Sequence, residues 1–222
     1  FYYQGRIIEN IRISNTVDAY AVNGWESMKL ENHSGIVDNY RFPKGDPEVM
    51  ARYNAPLYLA VKMNRKVVST GDTTLVGTYI VNEKNLKGSY ILNLVAKDES
   101  GNVVASHKER VTVKGGNDYG QCLQSSWAFI PKSKGYTRIE ASLLKGKTEL
   151  VKGDDLLFAV ELNTKGITTR GSVADTTGAL VNFLRGVGME VPVYKGGTPE
   201  GDYLLVGAYE PTQWGSGMSD IM

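Results

Sequence analysis

The feature that most constrains the fold is a rhythm of short alternating segments. Between residues 57 and 163, runs of apolar and polar residues in alternation recur, separated by clusters of turn-forming residues. "LYLAVKM" alternates, and "TTLVGTYIVNE" sets Leu75, Gly77, Tyr79 and Val81 on one side against Val76, Thr78 and Ile80 on the other. "GSYILNLVAKD" repeats the pattern, the turn "DESGN" leads into "VVASHKERVTV", and "GYTRIEASLLKG" and "DLLFAVELN" complete the set. A period of two belongs to a strand, since a helix returns its side chains to one face every 3.6 residues. At least six such strands, punctuated by "STGD", "KNLKG", "DESGN" and "VKGDD", predict a mainly β fold built on an immunoglobulin-like antiparallel β-sandwich. Tyrosine outnumbers phenylalanine 13 to 5, which suits half-buried sheet faces and also suits polysaccharide ligands.

The flanks read differently. Residues 1–15 carry Ile7, Ile8 and Ile11 at helical spacing, with Asn15 as a stop. "VDAYAVNGW" then reads as a short buried strand, with Val17, Ala19, Ala21 and Trp25 on one face. One helix and one strand cannot build a domain, so this piece is expected to lean on preceding strands, as the end of an α/β unit or barrel does. The next residues, 33–56, hold Pro43, Pro47, Pro56, Gly35 and Gly45, the composition of an irregular connector. Within it "DPEVMARYN" can form a turn or two of helix with Pro47 at a first helical position. Beyond the sandwich, "TTGALVNFLRGVGMEVPVY" puts Leu180, Phe183, Leu184 and Val187 on a helical face, stopped by Gly188, while "MEVPVY" and "DYLLVGA" read as strands. That is the grammar of a βαβ unit. The expected organisation is a barrel-end remnant at 1–32, a connector at 33–56, the sandwich at 57–163 and a small partial α/β region at 164–222. A start at "FYYQGRIIEN" reads equally as a mature terminus or as a cut from a longer protein, and "MSDIM" reads as the beginning of a further helix.

Charge excludes two partner classes. Lys+Arg number 25 against 24 Asp+Glu with no basic run, so neither nucleic acid nor an anionic membrane is an expected partner. No apolar stretch approaches the roughly 18 residues of a membrane-spanning helix, so no membrane insertion is expected. Cys122 stands alone, which rules out an internal disulfide, and reads as a small core residue. His33 and His107 are too far apart in sequence for a Cys/His zinc cluster, and no metal or other cofactor is expected.

Catalytic motifs are sparse. "GSGMS" at 215–219 lacks the spacing of a nucleophile elbow, and His107 sits on an alternating strand. "DTTG" at 175–178 reads as a helix N-cap through Thr176 or Thr177, at a place where backbone amides can also hold an anion. "KGDD" and "DESGN" could offer oxygens to calcium, but neither has EF-hand spacing and both read as hairpin turns. "NHS" at 32–34 is formally a glycosylation sequon. Glycoside hydrolysis needs two carboxyl groups roughly 5 to 9.5 Å apart, and the candidates near the start are Glu9, Glu26, Glu31 and Asp38. Only Glu26, directly after the strand ending at Trp25, stands where a barrel strand would deliver a side chain. Trp25 and Glu26 are therefore the candidate substrate-binding residues, and no catalytic pair is assigned.

The stretch "SGIVDNYRFPKGDPEVMARYNAPLYLAV" adds a resemblance. Gly35, Ile36, Val37, Asp38, Arg41, Pro43 and Lys44 match the G-[IL]-V-D-x-x-R-x-P-K segment by which the glycoside hydrolase family two clan of β-galactosidases, β-glucuronidases and β-mannosidases leaves its catalytic barrel. In that clan a short helix and an immunoglobulin-like sandwich follow, and "APLYLAVK" is similar to the sandwich's first strand. The resemblance covers about 40 residues and is strongest to multidomain Bacteroidetes-type enzymes for polysaccharide use. It implies a C-terminal accessory portion of a hydrolase whose acid/base and nucleophile glutamates lie on earlier barrel strands, so neither is carried over here. It further implies the rest of a parent polypeptide as partner, carbohydrate as a further one, Trp25 in the substrate platform, and a periplasmic or extracellular location. The terminal α/β region departs from simple members of the clan and could bind a small ligand at its strand ends. The alternative reading is a non-catalytic carbohydrate-binding or cell-surface interaction module. A binding module requires Trp127 and Tyr136 exposed and coplanar on one sheet face, whereas a scaffold buries them.

Overall fold

The two-residue period from residue 57 onward becomes eight strands that close around one apolar layer. The computed structural model describes residues 1–17, 19–21, 35–162, 170–199 and 201–207. It falls into two units, Phe1–Glu161 and Leu162–Met222. The first unit begins with helices α1 (Tyr2–Ser14) and α2 (Pro47–Tyr53). The strands follow as β1 (Leu57–Met63), β2 (Val67–Ser69), β3 (Thr74–Asn82), β4 (Gly88–Lys97), β5 (Val103–Val113), β6 (Gly120–Phe129), β7 (Gly135–Lys145) and β8 (Thr148–Val160). One sheet runs β1-β3-β6 and the other β2-β8-β7-β4-β5, antiparallel throughout except where β2 lies parallel to β8. This is an immunoglobulin-like sandwich.

Alternation decides which residues fill it. Leu92, Leu94 and Ala96 of β4 and Ile139, Ala141 and Leu143 of β7 face Leu59, Val61, Val76 and Ile80 of the opposing sheet. Between them, the polar residues of β4 and β7 face outward. The turn "DESGN" forms the β4–β5 hairpin, with Asp98 Oδ1 accepting from the amides of Ser100 (3.0 Å) and Asn102 (2.8 Å).

Three expectations for this region change. Strands β2 and β6 are additional: β2 has only three residues, and "GQCLQSSWAF" carries polar side chains on both faces, so neither shows a clear period. The expected turn "VKGDD" is absent, because β8 runs straight through it as a thirteen-residue strand. Gly153 permits this, since β1 crosses so close that a Cβ would collide with the Leu59 carbonyl oxygen. Cys122 is exposed rather than a core residue; it pairs with Tyr79 in the β3–β6 register, on the face opposite the sandwich interior.

That opposite face of the three-stranded sheet is not bare. Tyr58, Ala60, Tyr79 and Val81 point away from the sandwich and pack against Ile8 of α1 and Met50 and Tyr53 of α2, a second, smaller core. Pro47 occupies the first helical position of α2, and Asp46 caps it by accepting from the Glu48 amide at 3.0 Å. The expected buried strand "VDAYAVNGW" is corrected in part. Residues 17 and 19–21 form no strand, and Val17 and Tyr20 are exposed, because no described strand offers them a ladder; the rest of that stretch lies outside the described residues.

The second unit holds β9 (Gly171–Ala174), α3 (Ala179–Gly186) and β10 (Tyr203–Val206), with β9 and β10 parallel. "MEVPVY" contributes a single parallel bridge, Val193 to Val173, rather than a full strand, its ladder interrupted by Pro192. On α3 Leu184 is buried while Phe183 is exposed.

Candidate functional site

Helix α1 buries an unexpected face. The apolar triplet Ile7, Ile8 and Ile11 suggests the packing side, yet Ile7 is 60% exposed and the buried residues are Gly5, Ile8, Glu9 and Arg12. Gly5 lets the helix lie against the Tyr53 ring, which a Cβ at this position would strike. Charged side chains are normally excluded from such a face unless every charge finds a partner. Here each does.

Arg6 is the centre of the junction. Its Nη1 reaches Glu9 Oε1 at 3.1 Å, and its Nη2 reaches Asp155 Oδ2 at 2.8 Å and donates to the Val61 carbonyl at 3.0 Å. Glu9, which has no exposed surface, also takes Lys62 Nζ at 2.7 Å and the Tyr58 hydroxyl at 2.6 Å. Asp155, from the middle of β8, takes Lys66 Nζ at 2.7 Å and the Tyr2 hydroxyl at 2.9 Å. The helix is thus tied to β1 and β8 through two carboxylates and three cations.

The protonation behaviour follows from that crowding. Burial, reinforced by the neighbouring Glu9 carboxylate, drives the Tyr58 hydroxyl well above the ordinary tyrosine range, so it stays a donor. Burial also lowers the Lys62 ammonium, against the pull of Glu9. For Arg6 burial again opposes the charge, but Glu9 and Asp155 outweigh it and the guanidinium is held more firmly protonated.

Further along the helix Arg12 donates to the carbonyls of Tyr53 (2.5 Å) and Ala55 (2.8 Å) and pairs with Glu83 Oε1 at 2.6 Å. At the end Asn15 adopts a left-handed conformation, φ 55°, as the expected stop. Its side chain donates to the Gly120 carbonyl and accepts from the Gly120 amide at 2.7 Å. The helix is clamped at its start, middle and end.

The segment after it has its own closure. Val37 and Pro43 form a bridge, Lys44 N donates to Ile36 O at 3.0 Å, and Asp38 Oδ1 accepts from the amides of Tyr40 and Phe42, both at 2.9 Å. Gly35 (φ 88°) and Arg41 (φ 68°) both lie in the left-handed region. Ile36 packs against the second core. The motif residues Gly35 to Lys44 therefore form a self-bonded strap, with Tyr40 and Phe42 exposed at its tip.

The expected site residues fare unevenly. Trp25 and Glu26, with Glu31, His33 and the sequon at 32–34, lie outside the described residues. Glu9 and Asp38 are committed to the junction and the strap, respectively, so they are not paired catalytic carboxylates. The carboxylates of "KGDD" are engaged by cations of the chain itself: Asp154 and Asp155 point to opposite faces of β8, Asp154 to Arg52 (2.7 Å) and Arg138, Asp155 to Arg6 and Lys66. Among the described residues no His, Cys, Asp and Glu group could hold a metal ion. The N-cap expected at "DTTG" forms through a different residue. Asp175, not Thr176 or Thr177, supplies the main cap, accepting from the amides of Leu180 (2.7 Å), Val181 (3.1 Å) and Thr177 (3.2 Å). The amides an anion would need are already occupied by a carboxylate. These contacts hold the Asp175 carboxyl below its ordinary range, against a burial effect that works the other way.

The aromatic platform does not form. Trp127 points into the sandwich, stacked on His107 with ring centroids 6.1 Å apart and 16° between planes, at the open edge between β5 and β6. Tyr136 lies on the other sheet and is 53% exposed. One ring is half-buried and the other open, on different sheets, so they cannot meet one ligand together.

No protein-family model and no curated protein sequence matches the chain. Among solved structures, similar chains include a glycosyl hydrolase family 2 member from Bacteroides cellulosilyticus, at 15% identity and TM-score 0.38, covering 52% of this chain and 16% of that one. A β-glucuronidase from Bacteroides uniformis shows 17% identity and TM-score 0.36 over 46% of this chain and 13% of its own. The CARDB domain of the PF1109 protein from Pyrococcus furiosus shows 15% identity and TM-score 0.32, over 47% of this chain and 87% of that domain. The chain thus spans only a small fraction of the two hydrolases, and likenesses at these TM-scores carry no argument about activity.

Proposed function

We propose that this chain is the accessory, scaffold portion of a glycoside hydrolase similar to the family two clan, acting on plant or host polysaccharide outside the cytoplasm and not catalytic by itself. The reading is supported by the match of residues 35–44 to the barrel-exit segment and, above all, by one observation: α1 is held to the sandwich by buried ion pairs rather than by a loose linker, with the strap packed on the same second core through Ile36. A rigid mount is what a domain needs if it is to hold a neighbouring catalytic barrel in place. In this reading the rest of the parent polypeptide is the partner, and Trp25 and Glu26 stand at the rim of the barrel's substrate site. No helix among the described residues is long and apolar enough to cross a membrane.

Two measurements test it. The chain alone should release no p-nitrophenol from β-galactoside, β-glucuronide or β-mannoside substrates; turnover would overturn the scaffold assignment. Native-state hydrogen exchange should show α1 and the strap protected as strongly as β3 and β8, as one cooperative unit. Exchange of the helix at the rate of a free peptide would remove the mount on which the reading rests.

A further inference from the structure

Loss of the flat platform leaves Tyr136 unexplained. This tyrosine, at the start of an otherwise well-packed strand, keeps more than half its surface open, more than its one cross-strand ring contact requires. One side of its ring is held by Phe158, with centroids 4.8 Å apart and planes tilted by 54°. The ring borders a cleft of about 310 Å³ at one end of the sandwich, between the β4–β5 turn and the β6–β7 connection. Loops at the ends of such sandwiches are where this architecture carries its binding sites, because they vary while the sheets hold them rigid.

The cleft has two kinds of surface. Tyr136, Val104 and Ile130 supply exposed apolar area. Lys132, Ser133 and Lys134 from the β6–β7 connection, with Asp98 and Glu99 from the β4–β5 turn, supply its polar side. The position of Tyr136 is fixed, since its amide donates to Glu99 Oε1 at 2.8 Å, which ties the two connections together. The β6–β7 connection is anchored in turn by Pro131, whose carbonyl accepts from Gly71 N at 2.9 Å. The cleft is therefore preformed, with an open ring on one wall and hydrogen-bonding groups beside it.

An amphipathic ligand with one apolar face and a polar circumference fits that arrangement. A pyranose ring has this form: its axial C–H bonds make a face that lies on the electron-rich face of an aromatic ring, and its hydroxyls radiate outward. The volume is at the lower end for small-molecule sites, which suits one or two sugar rings rather than a larger ligand. We propose that the Tyr136 cleft binds a saccharide, by stacking on Tyr136 with hydroxyl contacts to Ser133, Lys132 and Lys134. The site uses one ring at a sandwich end, unlike the excluded coplanar pair on a sheet face, and it stands independently of the scaffold reading.

The test is titration of the full chain by calorimetry and by NMR, using gluco-, manno- and galacto-oligosaccharides and oligouronides to millimolar concentrations. Saturable binding is expected for at least one of them. Tyr136→Ala should weaken that binding at least tenfold with the fold retained, while Tyr136→Phe, which also keeps the contact with Phe158, should stay within about twofold, since stacking needs the ring and not the hydroxyl. A Lys132→Ala/Lys134→Ala double variant, whose side chains are exposed, should also weaken binding while leaving the fold intact. Flat titrations with every sugar class, or binding of undiminished strength in Tyr136→Ala, would overturn the proposal.

Discussion

Replacing Glu9 by glutamine tests whether the buried ion pairs hold the helix. The side chain keeps its shape, and one oxygen can still accept from the Tyr58 hydroxyl, which now sits at 2.6 Å. What changes is charge. The amide turns two donors towards Arg6 and Lys62, where a carboxylate had accepted from both at 3.1 and 2.7 Å. Removing one member of a buried ion pair costs about 3–5 kcal/mol, because the partner is left buried without compensation. Arg6 retains Asp155 and the Val61 carbonyl, and the Lys62 side chain is 24% exposed, so the lower end, about 3 kcal/mol, is expected. For a unit of this size that lowers the thermal midpoint by roughly 6–12 °C. Because the chain has two units, the assay must read the first alone: urea-dependent hydrogen exchange of peptides within residues 2–14 and 74–82. Both peptides should lose the same protection. A change under about 1 kcal/mol would refute the reasoning, as would a loss confined to the helix, which would show that the network does not couple α1 to the sandwich.

Two further predictions concern backbone approach and capping. Gly153→Ala should destabilise the first unit by about 3 kcal/mol in urea unfolding, the scale of overpacking a close-packed interior, since β1 must retreat from β8 to admit the methyl group; a cost below about 0.5 kcal/mol would mean the strands separate freely there. For Asp175 the folded carboxyl is held below its ordinary range, so its contribution is fully present above the unfolded value of about 3.9 and is lost as pH falls through the lower folded value. Amide protection of α3 should therefore drop in that acid window in the native chain, and Asp175→Ala should abolish the step; an unchanged pH profile in the variant would show that the cap does not hold the helix.

Legibility followed locality. Strands β4, β5 and β7 are visible as period-two runs because each has one face on the core, β1 and β3 are visible as short apolar runs although both their faces are buried, and the "DESGN" hairpin is visible because Asp and Gly at those offsets make their own turn. In sequence β8 looks short, since Gly-Asp-Asp ordinarily signals a turn; only the crossing of β1 explains a glycine there. The buried face of α1 is hidden in the sequence for a related reason. Apolar spacing treats Arg6, Glu9 and Arg12 as solvent-facing, and their partners Lys62, Asp155 and Glu83 are some fifty to a hundred and fifty residues away in sequence. The spacing of three between the charges was the available signal, since it places all three on one ridge of the helix. Tyr136 could be singled out as an aromatic, but its cleft depends on two connections that only the sandwich brings together.

The choice of charges for this junction bears on what the chain does. An apolar stripe can slide along a sheet by one helical turn, about 5.4 Å, at modest cost, because Ile and Val contacts are interchangeable. The α1 face cannot. Moving it one turn would carry Glu9 away from Lys62 and Tyr58 and leave Asp155 without Arg6, exposing each buried charge to its full desolvation penalty. The Asn15–Gly120 clamp adds a second stop at the far end. A buried polar contact of this kind is weak as a source of net stability and strong as a device for register. Register is what a rigid mount must supply, since a helix displaced by a single turn carries everything attached to it to a different place. The equal loss of protection expected at helix and sheet in Glu9→Gln is the direct consequence: if the charges set register, the helix cannot loosen without the sheet beneath it.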